Sequence, residues 1–185
     1  MAPVTGVLAL QGGFEAHSAI LRGLGCDVRE VRVPADLEAL DALVLPGGES
    51  TTMALGIARE DLAAPLLEFS QSGKPVLGTC AGLIILSREH LGAIDISVQR
   101  NAFGRQLHSF ETDLEIDGVE GESVHAVFIR APWIEEIGPN VEILAEVDGH
   151  PVAARQGAIT VVSFHPELSG ETRLHGLLLA SVASA

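Results

Sequence analysis

The strongest constraint on the fold of this chain is a pattern repeated through its first half. A short aliphatic run ends at glycine, and a segment of helical period follows. VTGVLAL (4–10) stops just before Gly12-Gly13, DALVLPGG (41–48) closes on Gly47-Gly48, and KPVLGTC (74–80) leads into Ala81-Gly82. Aliphatic runs of this length bounded by turn residues read as buried strands. DVREVRV (27–33) alternates and reads as a further strand. Between the first two runs, FEAHSAILRGLG carries Phe14, Ala16, Ile20, Leu21 and Leu24 near one helical face, with Gly25 as its stop. Two more helices are expected over about 51–59 and 61–72, and another over 81–89. Strands alternating with helices imply crossover units, hence a mainly parallel sheet with helices on both faces.

The second half changes character. LHSFETDLEI, SVHAVFIRA and VEILAEVDGHPVAARQGAITVVSF are strand-like runs broken at Asp117-Gly118, Asp148-Gly149 and Gln156-Gly157, which predicts antiparallel strands beside the parallel core. A closing helix over 171–183 carries Leu174, Leu177, Leu178 and Val182. No internal repeat or linker interrupts the 185 residues. The expected architecture is one α/β domain over residues 1–185 with a mixed, mainly parallel sheet.

Composition narrows the function. Eleven Lys and Arg against 25 Asp and Glu give a net charge of −14, which repels phosphate backbones and anionic membranes. Six Phe, one Trp and no Tyr leave little to stack on bases. Two cysteines, Cys26 and Cys80, are too few for a disulfide framework or a structural zinc site, so no metal is expected. The opening MAPVTGVLALQGG lacks a basic stretch followed by a signal-length apolar run, and a cytoplasmic protein is the simplest expectation.

Three local patterns could carry chemistry. Gly78-Thr79-Cys80-Ala81-Gly82 joins an expected strand to an expected helix, the context of a nucleophile elbow with Cys in place of Ser. A helix N-terminus favours thiolate over thiol; as an alternative, Cys80 is a small buried hydrophobe at a glycine-rich turn. His165-Pro166-Glu167 follows the apolar run AITVVSF. Proline biases the residue before it toward extended backbone, where side chains at i and i+2 share a face. His165 as base and Glu167 as orienting acid would complete a Cys–His–acid set. Pro46-Gly47-Gly48-Glu49-Ser50-Thr51-Thr52 could aim backbone N–H groups at a developing oxyanion, or could be a plain connection capped by Ser50 or Thr51. No phosphate-binding glycine motif is present. Of the other histidines, His17, His90, His125, His150 and His175 lack such a context, and His108 beside an arginine-containing loop ranks only slightly above them.

Taken together, LALQGGFEAH, LPGGESTTM, GKPVLGTCAGLIIL, RNAFGRQLHSFE, VFIRAP and SFHPEL make the chain resemble class I, triad-type glutamine amidotransferases. Within them, GGESTTM, RNAFGRQ and FIRAP are closest to the glutaminase subunits of pyridoxal phosphate synthases. The resemblance implies a flavodoxin-like fold and hydrolysis of L-glutamine to L-glutamate and ammonia. Cys80 would be nucleophile, His165 base and acid, and Glu167 the orienting carboxylate. Gly48, Glu49, Ser50, Arg100, Ile129 and Arg130 would line the glutamine pocket, and amides of Gly47, Gly48 and Ala81 would hold the oxyanion. Gln11 would lie near the oxyanion loop and the partner interface. A glutamine carboxylate in an acidic protein needs a cation, which suits Arg100 and Arg130. The resemblance also implies a (β/α)-barrel synthase as partner, activation by docking, and no cofactor on this chain. The connection SREHLGAIDISVQ between Leu86 and Arg100 is shorter than usual in the family. Rival readings are a glutaminase serving another synthase, an idle regulatory subunit, and a thiol hydrolase that needs only the elbow.

Overall fold

The structure, a computed structural model, describes residues 2–103 and 109–183. Four of the expected strands form β1 (Val4–Leu8), β2 (Asp27–Val31), β3 (Ala42–Leu45) and β4 (Val76–Thr79). The second half adds β5 (Ile96–Gln99), β6 (Ser109–Leu114), β7 (Val124–Ile129), β8 (Trp133–Ile137), β9 (Glu142–Val147), β10 (His150–Gln156) and β11 (Ile159–Val162). The helices are α1 (Phe14–Gly23), α2 (Ser50–Arg59), α3 (Ala63–Gln71), α4 (Ala81–Leu86), α5 (Pro166–Ser169) and α6 (Arg173–Ala183).

One seven-stranded sheet runs in the order β2-β1-β3-β4-β11-β10-β9. The first five are parallel to one another, and β10 and β9 add antiparallel strands at one edge. Both faces are covered, as the unbroken aliphatic runs require. On β3, Ala42 and Val44 join Val7, Leu21, Leu77 and Leu178 in the core under α1 and α6. Leu43 and Leu45 point the other way, into a core with Met53, Leu66 and Leu83 of α2, α3 and α4. Alternation at period two therefore places each neighbour on an opposite hydrophobic layer.

Two features differ from the sequence pattern. AITVVSF reads as one of the antiparallel runs, yet β11 pairs in parallel with β4 while pairing antiparallel with β10. A hairpin at Gly157 (φ +57°) returns the chain into the core sheet beside β4, with Val162 opposite Thr79. The C-terminal ends of β4 and β11 are thereby adjacent. The second difference is a pair of strands that the pattern does not single out, β5 and β8, which form a separate antiparallel ribbon. The short connection after Leu86 holds β5 and ends beside Arg100. A second ribbon, β6–β7, packs Phe110 on Phe128 with ring centroids 4.5 Å apart, and Phe128 lies 5.6 Å from Phe164. These rings form a second core directly behind the segment that carries His165.

Helix boundaries shift modestly. α2 starts at Ser50, because Glu49, not Ser50 or Thr51, is its cap; the Glu49 carboxylate accepts from the amides of Thr51 and Thr52. α4 stops at Leu86, where Ser87 turns to extended backbone. The interior stripe of α1 is Phe14, His17, Ser18 and Leu21, at i, i+3, i+4 and i+7, with His17 and Ser18 buried and Leu24 exposed. No helix of the described residues is long and apolar enough to cross a membrane.

Candidate active site

Cys80 sits between β4 and α4 with φ +47° and ψ −100°. Such backbone costs an L-residue about 1–3 kcal/mol and persists only where the surroundings impose it. Here the imposition is visible. The Cys80 amide donates to the Val162 carbonyl at 2.8 Å, which fixes the end of β4 against β11. A side chain at Gly82 would overlap the Leu45 carbonyl, and one at Gly78 would press on Leu86 and the Gly82 backbone. The glycines flanking Cys80 thus let α4 turn back tightly over β3 and β4. Cys80 is buried, at 5% exposure, and unpaired with any second cysteine among the described residues.

His165 leaves the end of β11 in the same direction. Its amide donates to the Val127 carbonyl at 2.9 Å, tying it to β7. Pro166 opens α5, so Glu167 lies in a first helical turn, not further along an extended strand. The two side chains still meet: His165 Nδ1 and Glu167 Oε1 are 2.8 Å apart. Only a glycine at position 47 leaves room for the imidazole, since a Cβ there would overlap His165 Cε1 and lie 2.7 Å from Nδ1. That same Cβ would stand 3.4 Å from the Cys80 Cβ, so the Cys80 side chain and the His165 ring meet at the Gly47 backbone.

Burial works against a charged His165, but hydrogen bonding to Cys80 and Glu167, with their negative charge, outweighs it and pushes the ring up to about 10. Burial likewise opposes ionised Glu167, and the His165 hydrogen bond together with the neighbouring rings holds its carboxyl below the usual range. The resting arrangement is an imidazolium between a carboxylate and the sulfur.

A cleft of about 500 Å³ opens over Cys80 and His165. Gly48, Glu49, Ser50, Arg100, Ile129 and Arg130 all line it, and so do Asn101 and Ile84, which the sequence did not single out. Gln11 reaches across: its Oε1 accepts from the Glu49 amide at 2.7 Å. A Cβ at Gly48 would overlap that same oxygen, so the second glycine of the loop exists for this bracing contact. Ala81 is the first residue of α4, next to the sulfur-bearing residue. Arg100 leans on the far rim, 3.6 Å from Glu49 and 3.4 Å from the Thr51 hydroxyl.

A family model described as the SNO glutamine amidotransferase family matches residues 7–184. The chain belongs to that family. It is 51% identical over 192 residues to the pyridoxal 5'-phosphate synthase subunit PdxT of Parafrankia sp. (strain EAN1pec), covering 99% of this chain and 95% of that protein. It is 50% identical to the protein of the same name from Mycobacteroides abscessus, covering 98% of each. A solved glutamine amidotransferase superposes with a TM-score of 0.90 at 42% identity, over 97% of this chain and 98% of the other. The resemblance read from the motifs and the fold expected from it are both borne out.

The remaining histidines divide by surroundings. His125 on β7 is exposed between Asp113 and Glu111, at 2.8 and 3.0 Å. His150 stacks on Trp133 with centroids 3.5 Å apart, and His90 occupies a turn. His108 lies outside the described residues. His17 and His175 are different: both are fully buried, and both lie behind Glu167. The sequence does not single out His17, because it lies within a helix with no motif around it. Its spacing of four from Leu21 was the signal available.

Proposed function

We propose that this chain hydrolyses the side-chain amide of L-glutamine through Cys80, His165 and Glu167, and delivers the ammonia to a synthase subunit that makes pyridoxal phosphate. The observation that carries the reading is the convergence of a strained, buried Cys80 with the His165–Glu167 pair at the floor of one cleft. The cleft volume of about 500 Å³ suits a small polar substrate.

In the proposed reaction the Cys80 thiolate attacks the carboxamide carbon. Amides of Ala81 and the Gly47-Gly48 turn hold the oxyanion; such donors elsewhere are worth about 3–4 kcal/mol each. His165, already protonated beside Glu167, gives its proton to the departing nitrogen. The resulting thioester is opened by water that His165, now neutral, deprotonates. Glu167 stays ionised and keeps Nδ1 of the ring occupied, so the other nitrogen works on the substrate. Arg100 and Arg130 supply cationic groups for the α-carboxylate.

Relatives near 50% identity are named as pyridoxal 5'-phosphate synthase subunits, which supports the choice of synthase over one for another product. The partner is a (β/α)-barrel, and docking to it switches the glutaminase on in the cytoplasm. The test is glutamate release by wild type and Cys80→Ala, each with and without purified pyridoxal phosphate synthase subunit. Release by wild type that rises on adding the synthase, and none from Cys80→Ala, is expected. Undiminished turnover by Cys80→Ala would remove the nucleophile, and stimulation only by an unrelated synthase would reassign the partner.

A further inference from the structure

Glu167 has two oxygens, and His165 uses one. The other, Oε2, is buried with no hydrogen bond of standard geometry among the described residues. His17 Nε2 lies 3.3 Å from it and 3.2 Å from the Thr79 hydroxyl. On the opposite side of the same ring, His17 Nδ1 is 2.8 Å from His175 Nε2. Two imidazoles, brought from α1 and α6, therefore extend the line that begins at His165, in a region closed to water.

The proton positions follow from charge. Burial pushes both His17 and His175 down, His175 to about 4, so both rings are neutral at neutral pH and one proton lies between them. If His175 Nε2–H donates, His17 carries its proton on Nε2, facing Glu167 Oε2 and the Thr79 oxygen. If His17 Nδ1–H donates instead, a bare nitrogen lone pair faces the carboxylate and Oε2 loses its donor. The second arrangement leaves a charged oxygen unsatisfied, whereas the first leaves only the neutral lone pair of His175 Nδ1, the lesser cost. The second arrangement would send His175 Nδ1–H toward the Glu171 backbone, which acts on the ring, yet Nδ1 makes no hydrogen bond of standard geometry among the described residues.

We propose that His17 and His175 are positioning residues: His175 fixes the tautomer of His17, and His17 Nε2–H holds the far oxygen of Glu167 so that the near one stays on His165. This rests on the role given to Glu167 above. A neutral donor is the fitting choice, because a cation there would draw the carboxylate away from His165. The groups that face the pair are Glu167 and His165 from the α5 segment, Thr79 from β4, and Glu171 beside His175.

The test has two arms, both on the full chain. In the first, side-chain nitrogen NMR of the wild-type protein reads the His17 tautomer. A proton on Nε2 and a bare Nδ1 is expected, and the reverse overturns the proposal whether or not the chain proves to be a glutaminase. The second arm compares His17→Phe with His17→Gln in glutamate release with the synthase present, thermal melts confirming the fold. His17→Phe should lower kcat about 10–100-fold with KM for glutamine within about twofold, and should move the acid limb of kcat/KM up by about one pH unit, because ionised Glu167 has lost a donor. His17→Gln, which keeps an N–H near the Nε2 position, should recover most of the rate. Equal losses in both variants with the acid limb unmoved, or no loss in a folded His17→Phe, would overturn it. Should His17→Phe fail to fold, the tautomer decides alone.

Discussion

Gly47→Ala is the sharpest single perturbation available at this site. Gly47 does not adopt positive φ, so its backbone accepts alanine without strain of its own. The methyl group, however, would overlap His165 Cε1 and stand 2.7 Å from Nδ1, against about 3.4 Å for ordinary contact. The ring must retreat by at least 0.7 Å, which disturbs its 2.8 Å contact with Glu167. A misplacement near 1 Å in a catalytic group costs roughly 10²-fold, or about 2.7 kcal/mol of transition-state stabilisation. The expected result is a kcat for glutamate release down about a hundredfold, with KM changed little and a melting temperature close to wild type. Gly23→Ala is the control, because nothing lies within 4 Å of a Cβ there; its activity should match wild type. A Gly47→Ala enzyme within threefold of wild type would refute the claim that the imidazole works from this position.

Two further outcomes follow from charge. Arg100→Met should raise KM for glutamine about 10–100-fold with a smaller change in kcat, as expected for losing a charge-assisted contact to the substrate carboxylate; an unchanged KM in steady-state assays would free Arg100 of that role. Stability should fall toward acid, because His175 is held at about 4 in the folded chain against 6.5 in its ordinary state. The unfolded chain then binds more protons between those values, so this contribution is complete above pH 6.5 and lost as pH drops to 4, about 3 kcal/mol in all. His165, raised to about 10, acts oppositely: its contribution is complete below pH 6.5 and lost as pH climbs through 10. Urea midpoints should therefore decline on both sides of pH 6.5, and equal midpoints at pH 6.5 and 4.5 would contradict the burial of a neutral His175.

Much of the fold and the site was legible because the relevant physics is local. Runs such as DALVLPGG have one reasonable conformation when both faces are buried, and glycine at positions 78 and 82 marks a turn too tight for side chains. Cys80, His165 and Glu167 stood out because each lies at the C-terminal end of such a run. What stayed hidden is set by tertiary packing. No local pattern says that β11 inserts parallel to β4, although that pairing is what brings His165 to Cys80. Asn101 and Ile84 face the cleft through the folding of separate segments. The His17–His175 contact joins residues 158 positions apart, and a helical histidine reads the same in sequence whether it lies inside or outside. The cap of α2 is hidden for a different reason: Glu49 folds its carboxylate back onto two amides, a role more often filled by shorter side chains.

The direct trial of the whole scheme is to mix the assembled enzyme with glutamine, quench in acid within one turnover, and look by mass spectrometry for a glutamyl group on the peptide that contains residue 80. A thioester confined to that peptide, rising and decaying within one turnover of the wild type and absent from Cys80→Ala, is the predicted result. Glutamate formed at the wild-type rate with no acylated Cys80 at any time would contradict it.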